Sequence, residues 1–339
     1  MHSALGGRFV EFAGWEMPVQ YDGVIAEHNA VRTDVGIFDV SHLGRFTLEG
    51  LGATELVGRL LCNNVAHIEP GRAQYTMALT QDGGVVDDII VWRFDDERYW
   101  VVPNGANQDD VLDIFTDEAA TGISIESRRL DTALMAVQGP NAPSLIASVI
   151  GEAPRRFQVL ESSFGGSPLY AAGTGYTGEK GAELCIAADH AEELWGALTD
   201  AGAKPCGLGS RDTLRLEMGY PLWGQDLDTD TTPLEAGLSW VVEFDHEFTG
   251  KQALEAQLAE GLRKRLIPFR MEGRQIARHG YPVRASGSIG KVSSGNFSPT
   301  LDGAIGMAYL EPDPGNIETL EVEIRGDWQA ANVHSVPFI

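Results

Sequence analysis

Positive charge is scarce in this chain. Against 49 aspartates and glutamates stand only 25 lysines and arginines, leaving a formal charge of −24 at pH 7 over 339 residues. Phosphate binding rests on clustered Lys and Arg, so this balance argues against nucleic acid or an anionic membrane as a partner. Cysteine is scarcer still. Cys62, Cys185 and Cys206 are widely separated and lack Cys-x-x-Cys spacing, so neither a disulfide framework nor a zinc site is suggested, and they read as buried small hydrophobes. No apolar run approaches the roughly 20 residues that cross a bilayer. The N-terminus, Met-His-Ser-Ala-Leu-Gly-Gly, lacks a charged and then apolar signal, which makes the cytoplasm the expected compartment.

The length suits two or three domains. The stretch 207–226 predicts a helix, with Ser210 as N-cap, Asp212 in the first turn, and Gly219 with Pro221 as the stop. On it Arg211, Leu214, Arg215 and Met218 fall on one stripe, so two guanidiniums occupy a face that should be apolar. An arginine keeps its charge, and out of water it needs an anionic partner, either an internal carboxylate or one brought by a ligand. Both readings stay open on this helix alone.

A second anomaly lies in Val85-Val-Asp-Asp-Ile-Ile-Val-Trp92, which reads as a strand. Alternation puts Asp87 with Val85, Ile89 and Val91 on one face and Asp88 with Val86, Ile90 and Trp92 on the other. Each face is apolar apart from one aspartate, so at most one of the pair should look onto a given site; a frayed strand start after Gly83-Gly84 is the alternative. A hairpin partner runs through Tyr99-Trp-Val-Val-Pro103 to Asn104. Helices are expected over 24–33, 52–61 and 108–118, with Pro140 opening another, in an α+β mixture.

Further on, Leu169-Tyr-Ala-Ala172 and Ala182-Glu-Leu-Cys-Ile-Ala187 read as strands joined by a glycine-rich loop that carries Tyr176, a stacking surface. In the second strand Glu183 shares a face with Cys185, lining a cavity or facing solvent; solvent is the ordinary case. Ser41 and His42 are adjacent in an extended segment and point apart, so they make no nucleophile pair, and His42 reads as a turn or core histidine. Arg263, Lys264, Arg265, Arg270, Arg274 and Arg278 locally reverse the sign of charge. They read either as a solvated face or as a guide for an acidic partner. The remainder alternates short strands with glycine turns, as in a small barrel.

Taken in order, Gly14-Trp-Glu-Met-Pro-Val-Gln-Tyr21, Asp39-Val-Ser-His42, Gly83-Gly-Val-Val-Asp-Asp88, Gly175-Tyr-Thr-Gly-Glu179, the 207–219 helix, Pro233-Leu-Glu-Ala-Gly-Leu-Ser-Trp240 and Ser294-Gly-Asn-Phe-Ser-Pro-Thr-Leu301 span nearly the whole chain. In this order they resemble the aminomethyltransferase (T-protein) family of the glycine cleavage system. The resemblance implies a three-domain cloverleaf around a central folate channel. Residues 1–45 with 132–245 would form one lobe and 46–131 a second, followed by a connecting helix over 246–262 and a C-terminal β-barrel over 263–339. It implies transfer of the methylene of an aminomethyl group from lipoyl H-protein to tetrahydrofolate, with release of ammonia and no metal.

The family's pterin-binding acid falls on Glu183, its arginine on Arg211, and its channel aromatics on Tyr176 and Trp240. Met17, Tyr75, Val102 and Asn104 are implied as further folate contacts. Its catalytic aspartate falls on the Asp87-Asp88 pair, with Asp88 preferred and Asp87 the alternative. A pterin offers a face to stack on and donors for a carboxylate, and folate's glutamate tail suits an arginine, with Arg215 in support. An aspartate near the folate N5 and N10 could stabilise the cationic iminium by position and charge. The basic stretch 263–278 is the candidate approach for H-protein. Gly173 departs from an arginine common at its position, and Leu43 from a methionine. Competing expectations are a folate-dependent demethylase of a small methylated substrate and a non-catalytic folate-binding protein.

Overall fold

The computed structural model describes residues 1–339. A hairpin of β1 (Arg8–Phe12) and β2 (Trp15–Gln20) precedes α1 (Val24–Thr33), β3 (Gly36–Asp39), β4 (Phe46–Glu49) and α2 (Ala53–Leu60). Then come β5 (Arg72–Leu79), β6 (Val85–Arg93), β7 (Arg98–Val102), α3 (Gln108–Glu118), β8 (Ser124–Ser127) and β9 (Thr132–Gln138). The middle of the chain adds α4 (Ala142–Ile150), β10 (Val159–Phe164), β11 (Ser167–Ala172), β12 (Gly181–Ala187), α5 (Ala191–Asp200), β13 (Lys204–Pro205) and α6 (Leu208–Glu217). After α7 (Lys251–Glu260) follow β14 (Arg265–Met271), β15 (Pro282–Ala285), β16 (Ser288–Ser298), β17 (Gly303–Glu311), β18 (Thr319–Ile324) and β19 (Asp327–Val333). The fold is the mixed α+β type that the pattern implied. Pro143 rather than Pro140 sits in the first turn of α4.

By contact density the chain divides into two units, Met1–Ala78 with Asp87–Arg211 and Asp245–Phe248, and Leu79–Val86 with Asp212–Phe244 and Thr249–Ile339. The first unit holds a six-stranded sheet, β10-β11-β12-β9-β3-β13, and a five-stranded one, β5-β6-β7-β4-β8, whose β5–β6 turn belongs to the second unit. Every residue of β9, the strand between β12 and β3, is buried. Its Ala133, Met135 and Val137 side chains pack with Ile146 of α4 and Leu194, Trp195 and Leu198 of α5. In β6 the alternation is the expected one. Val85, Asp87, Ile89 and Val91 are fully buried and Val86, Asp88 and Ile90 half-buried, so both aspartates stand inside the strand and not at a frayed start.

In the second unit β14 to β19 close into a six-stranded barrel, which leaves no free edge. Its core is built from Phe269, Val283, Val292, Ala308, Leu310 and Val322 with their neighbours. The hairpin tip before β6 is held here too. Val85 N donates to the Asp228 and Thr231 carbonyls, and a Cβ on Gly84 would lie 1.8 Å from the Thr229 carbonyl oxygen, so only glycine fits.

Arg215 resolves as an internal ion pair. Its Nη1 lies 2.8 Å from Asp226 Oδ2, with the two side chains 2% and 0% exposed. Nε donates to Asp212, Nη1 also to the Tyr220 carbonyl, and Nη2 to Ser294 Oγ in β16. All of these partners are in the second unit, so Arg215 secures α6 to the barrel. Three of the six basic residues over 263–278 have acidic partners. Arg263 pairs with Glu235, Arg265 with Asp313 and Arg274 with Asp302, while Lys264 bonds Thr231 and lies over the Tyr309 ring.

Removing one partner of a buried pair strands the other charge, at a cost of about 3–5 kcal/mol, whereas a partly exposed partner is worth ~1 kcal/mol or less. In urea unfolding, Asp226→Ala should therefore lose far more stability than Asp212→Ala, whose carboxylate is 37% exposed. Equal losses would show that the buried pair is not what holds the barrel.

Candidate functional site

In the β6–β7 ladder Ile90 stands opposite Val102, and continuing that register by two residues brings Asn104 opposite Asp88. Asn104 Nδ2 donates to Asp88 Oδ1 at 2.7 Å and to Asp87 Oδ1 at 2.8 Å, and its backbone N–H donates to Asp87 Oδ2 at 2.8 Å. Adjacent residues do point to opposite faces, but one amide with two hydrogens reaches both. Asn107 Nδ2 adds a bond to Asp87 at 2.6 Å, and the Tyr75 hydroxyl donates to Asp88 Oδ2 at 2.9 Å. Burial first, and Asp88 second, hold the Asp87 carboxyl well above its ordinary range, against the opposing pull of Asn104 and Asn107. Burial and Asp88 also push the Tyr75 phenol up, so it remains a donor.

Glu183 sits on β12 between Ala172 of β11 and Ala136 of β9. It is 5% exposed and accepts a short hydrogen bond from the Thr174 hydroxyl, so the solvent-facing reading is overturned. Thr174 follows Gly173, where a Cβ would lie 1.9 Å from the Arg155 carbonyl oxygen and no arginine could stand. Tyr176, in the same loop, lies under the Arg211 guanidinium at 4.7 Å from ring centroid to carbon. Arg211 Nη1 is sealed from solvent and has no hydrogen-bond partner. Burial depresses the Arg211 pKa, while Glu183 and Tyr176 oppose that fall.

Arg211 is set by the start of α6, and the cap there is not Ser210. Glu27 of α1 accepts from Gly207 N at 2.8 Å and from Ser210 Oγ at 3.2 Å, and also from Tyr21 N and Gly23 N. A carboxylate from another helix neutralises the positive end of α6. Asp212 likewise lies beyond the first turn and bonds Arg215 and Asn296.

His42 is 3% exposed, with Nδ1 lacking a partner and the Phe12 ring edge-on at 5.4 Å. Burial first, and Arg211 second, push its pKa down to about 3, so the imidazole is neutral. Arg45, fully buried, holds this turn by donating to the Ser41, Leu43 and Arg129 carbonyls.

The structure thus gathers Tyr75, Asp87, Asp88 and Asn104 in one cluster and Tyr176, Glu183 and Arg211 in another. Both clusters lie in the first unit. Met17 is buried on β2 and Val102 at the end of β7. Trp240 belongs to the second unit, on a 3-10 turn with 67% of its surface exposed. Sequence reasoning passed over Asn107, Thr174 and Glu27. The one available signal was their polarity beside glycine turns.

Residues 1–246 match the family model described as the GCVT N-terminal domain, and residues 264–339 match the glycine cleavage T-protein C-terminal barrel domain. The chain belongs to the glycine cleavage T-protein family. Within this aminomethyltransferase family it is 46% identical over 345 residues to the aminomethyltransferase of Rubrobacter xylanophilus, covering 99% of this chain and 92% of that protein. It is 45% identical to that of Streptomyces coelicolor over 356 residues, covering 99% and 95%. The crystal structure of glycine cleavage system aminomethyltransferase T from Bartonella henselae superposes with a TM-score of 0.93 at 31% identity, covering 100% of this chain and 96% of that one.

A guanidinium N–H sealed from solvent without a partner is a liability to the ligand-free chain. Arg211→Met should leave urea stability without ligand unchanged or raised, in contrast to the loss at Asp226. A loss of about 3 kcal/mol or more would mean that Arg211 is a structural ion-pair member.

Proposed function

We propose that the cluster in the first unit binds tetrahydrofolate and that the chain transfers the methylene of an aminomethyl group, carried on the lipoyl arm of H-protein, to that acceptor with release of ammonia. The observation that carries this is Arg211 Nη1, a buried donor without a partner, next to a buried carboxylate and an aromatic face. A pterin suits this set: Tyr176 stacks on its face and Glu183 accepts its ring and amino hydrogens. Because Arg211 acts on the same end of the site as Glu183, we assign it to a ring acceptor and not to the glutamate tail. Met17, Tyr75, Val102 and Asn104 are proposed as further contacts.

Asp88 is the proposed catalytic residue. Tyr75 fixes one of its oxygens and Asn104 the other, so a negative charge is held in place where positive charge develops on the transferred carbon. It acts by position and charge, with little reorganisation as the reaction proceeds. Full-length likeness to aminomethyltransferases favours the aminomethyl donor over a methylated small substrate or a binding-only role. No helix is long and apolar enough to cross a membrane, and the cytoplasm is the proposed location.

The test is ammonia release from aminomethyl-loaded H-protein on adding tetrahydrofolate. Asp88→Asn should slow it about 10²- to 10³-fold, with folate Kd changed only a few-fold. Glu183→Gln should weaken folate binding instead. Near-normal turnover in Asp88→Asn together with a dead Asp87→Asn would transfer the role, and two active mutants would end it.

A further inference from the structure

Asn107 stands at the N-cap of α3, where an asparagine's side-chain oxygen ordinarily accepts a first-turn N–H. Here it makes no such bond. The side chain is 3% exposed, and its amide donates to Asp87 instead. Asn104 spends its amide and its backbone N–H on the same carboxylate while also holding Asp88. Asp87 has no exposed surface, and the proposed reaction gives it no contact with substrate. Neutral donors converge on it, and no lysine, arginine or histidine pairs with it. Two influences oppose each other at one carboxyl. Burial and Asp88 favour a bound proton, and the amides favour the anion.

We propose that Asp87 and Asp88 form one proton-sharing pair bridged by Asn104 and tuned by Asn107. In this pair Asp87 is a positioning residue whose protonation sets the negative charge that Asp88 presents to substrate. The inference rests on the reading that Asp88 meets the developing positive charge. The groups facing Asp87 are Asp88 on β6, Tyr75 on β5 acting through Asp88, Asn104 after β7, and Asn107 with the positive end of α3, whose first turn adds Asp109 and Asp110. At low pH the pair holds a proton on Asp87. As pH rises toward neutrality that proton passes to solvent, the pair gains its second charge and ammonia release increases. A cation beside Asp88 favours the same loss.

The carboxyl of Asp87 can be followed by carbon NMR in the ligand-free full chain, apart from any turnover. Its midpoint should lie above the ordinary aspartate range. Asn107→Leu removes a donor to the anion and should move the midpoint up by about one pH unit, and the rising limb of the ammonia-release profile should move with it. Asp88→Asn removes the neighbouring charge and should move the midpoint down. That arm also carries the test should Asn107→Leu not fold. An ordinary midpoint in the wild type, a midpoint deaf to both changes, or a limb that stays put while the midpoint moves would each overturn the proposal. Shifted midpoints in a chain that releases no ammonia would sink the transferase reading and leave the pairing standing.

Discussion

A guanidinium cannot shed its charge to enter a protein interior, so each buried arginine forces an arrangement of acceptors around itself. Helix α6 carries two arginines one turn apart, Arg215 buried and Arg211 half-buried with Nη1 sealed, and they are satisfied in opposite ways. Arg215 is met from within by Asp226, Asp212, a carbonyl and Ser294, which fastens the helix to the barrel in the second unit. Arg211 ends the first unit with one nitrogen unmet beside Tyr176 and Glu183. Stability and recognition are thus divided between neighbouring turns of one helix.

The same scarcity of bases shapes how buried acids are held. Glu27 takes backbone N–H groups and a serine hydroxyl, and Glu217 takes Ser298 and Thr300. Asp87 takes two asparagines, and Glu183 a threonine. In a chain so rich in carboxylates, neutral donors stand where cations stand elsewhere and satisfy the buried carboxyl oxygens. They leave a carboxyl more easily swayed by a neighbouring charge than a firm ion pair would. Asp87 and Asp88 are the clearest instance.

What could be read from the residues was what depends on local period. The alternation through Val85 to Trp92, the strand bearing Glu183, and the short strands of the barrel follow from spacing along the chain. What could not be read depends on a second segment arriving from far away. The head of α6 is settled by Glu27 some 180 residues earlier, and the pairing of Arg263, Arg265 and Arg274 by Glu235, Asp313 and Asp302. Ser210 has the composition of a cap, and tertiary placement gave that duty to a residue on another helix. The orientation of Asn104 toward two carboxylates on opposite faces likewise follows from where β7 ends, which no periodicity encodes.

The hairpin tip has one more consequence. At Gly84 the Thr229 carbonyl occupies the space where a first side-chain atom would go, so even a methyl group must prise the turn away from the loop it rests on. Gly58 and Gly196 have open space around them inside helices. Evolution can therefore exchange those two for alanine at a gain in helix stability. Position 84 is closed to drift, because the backbone that leads into the aspartate strand is seated through it.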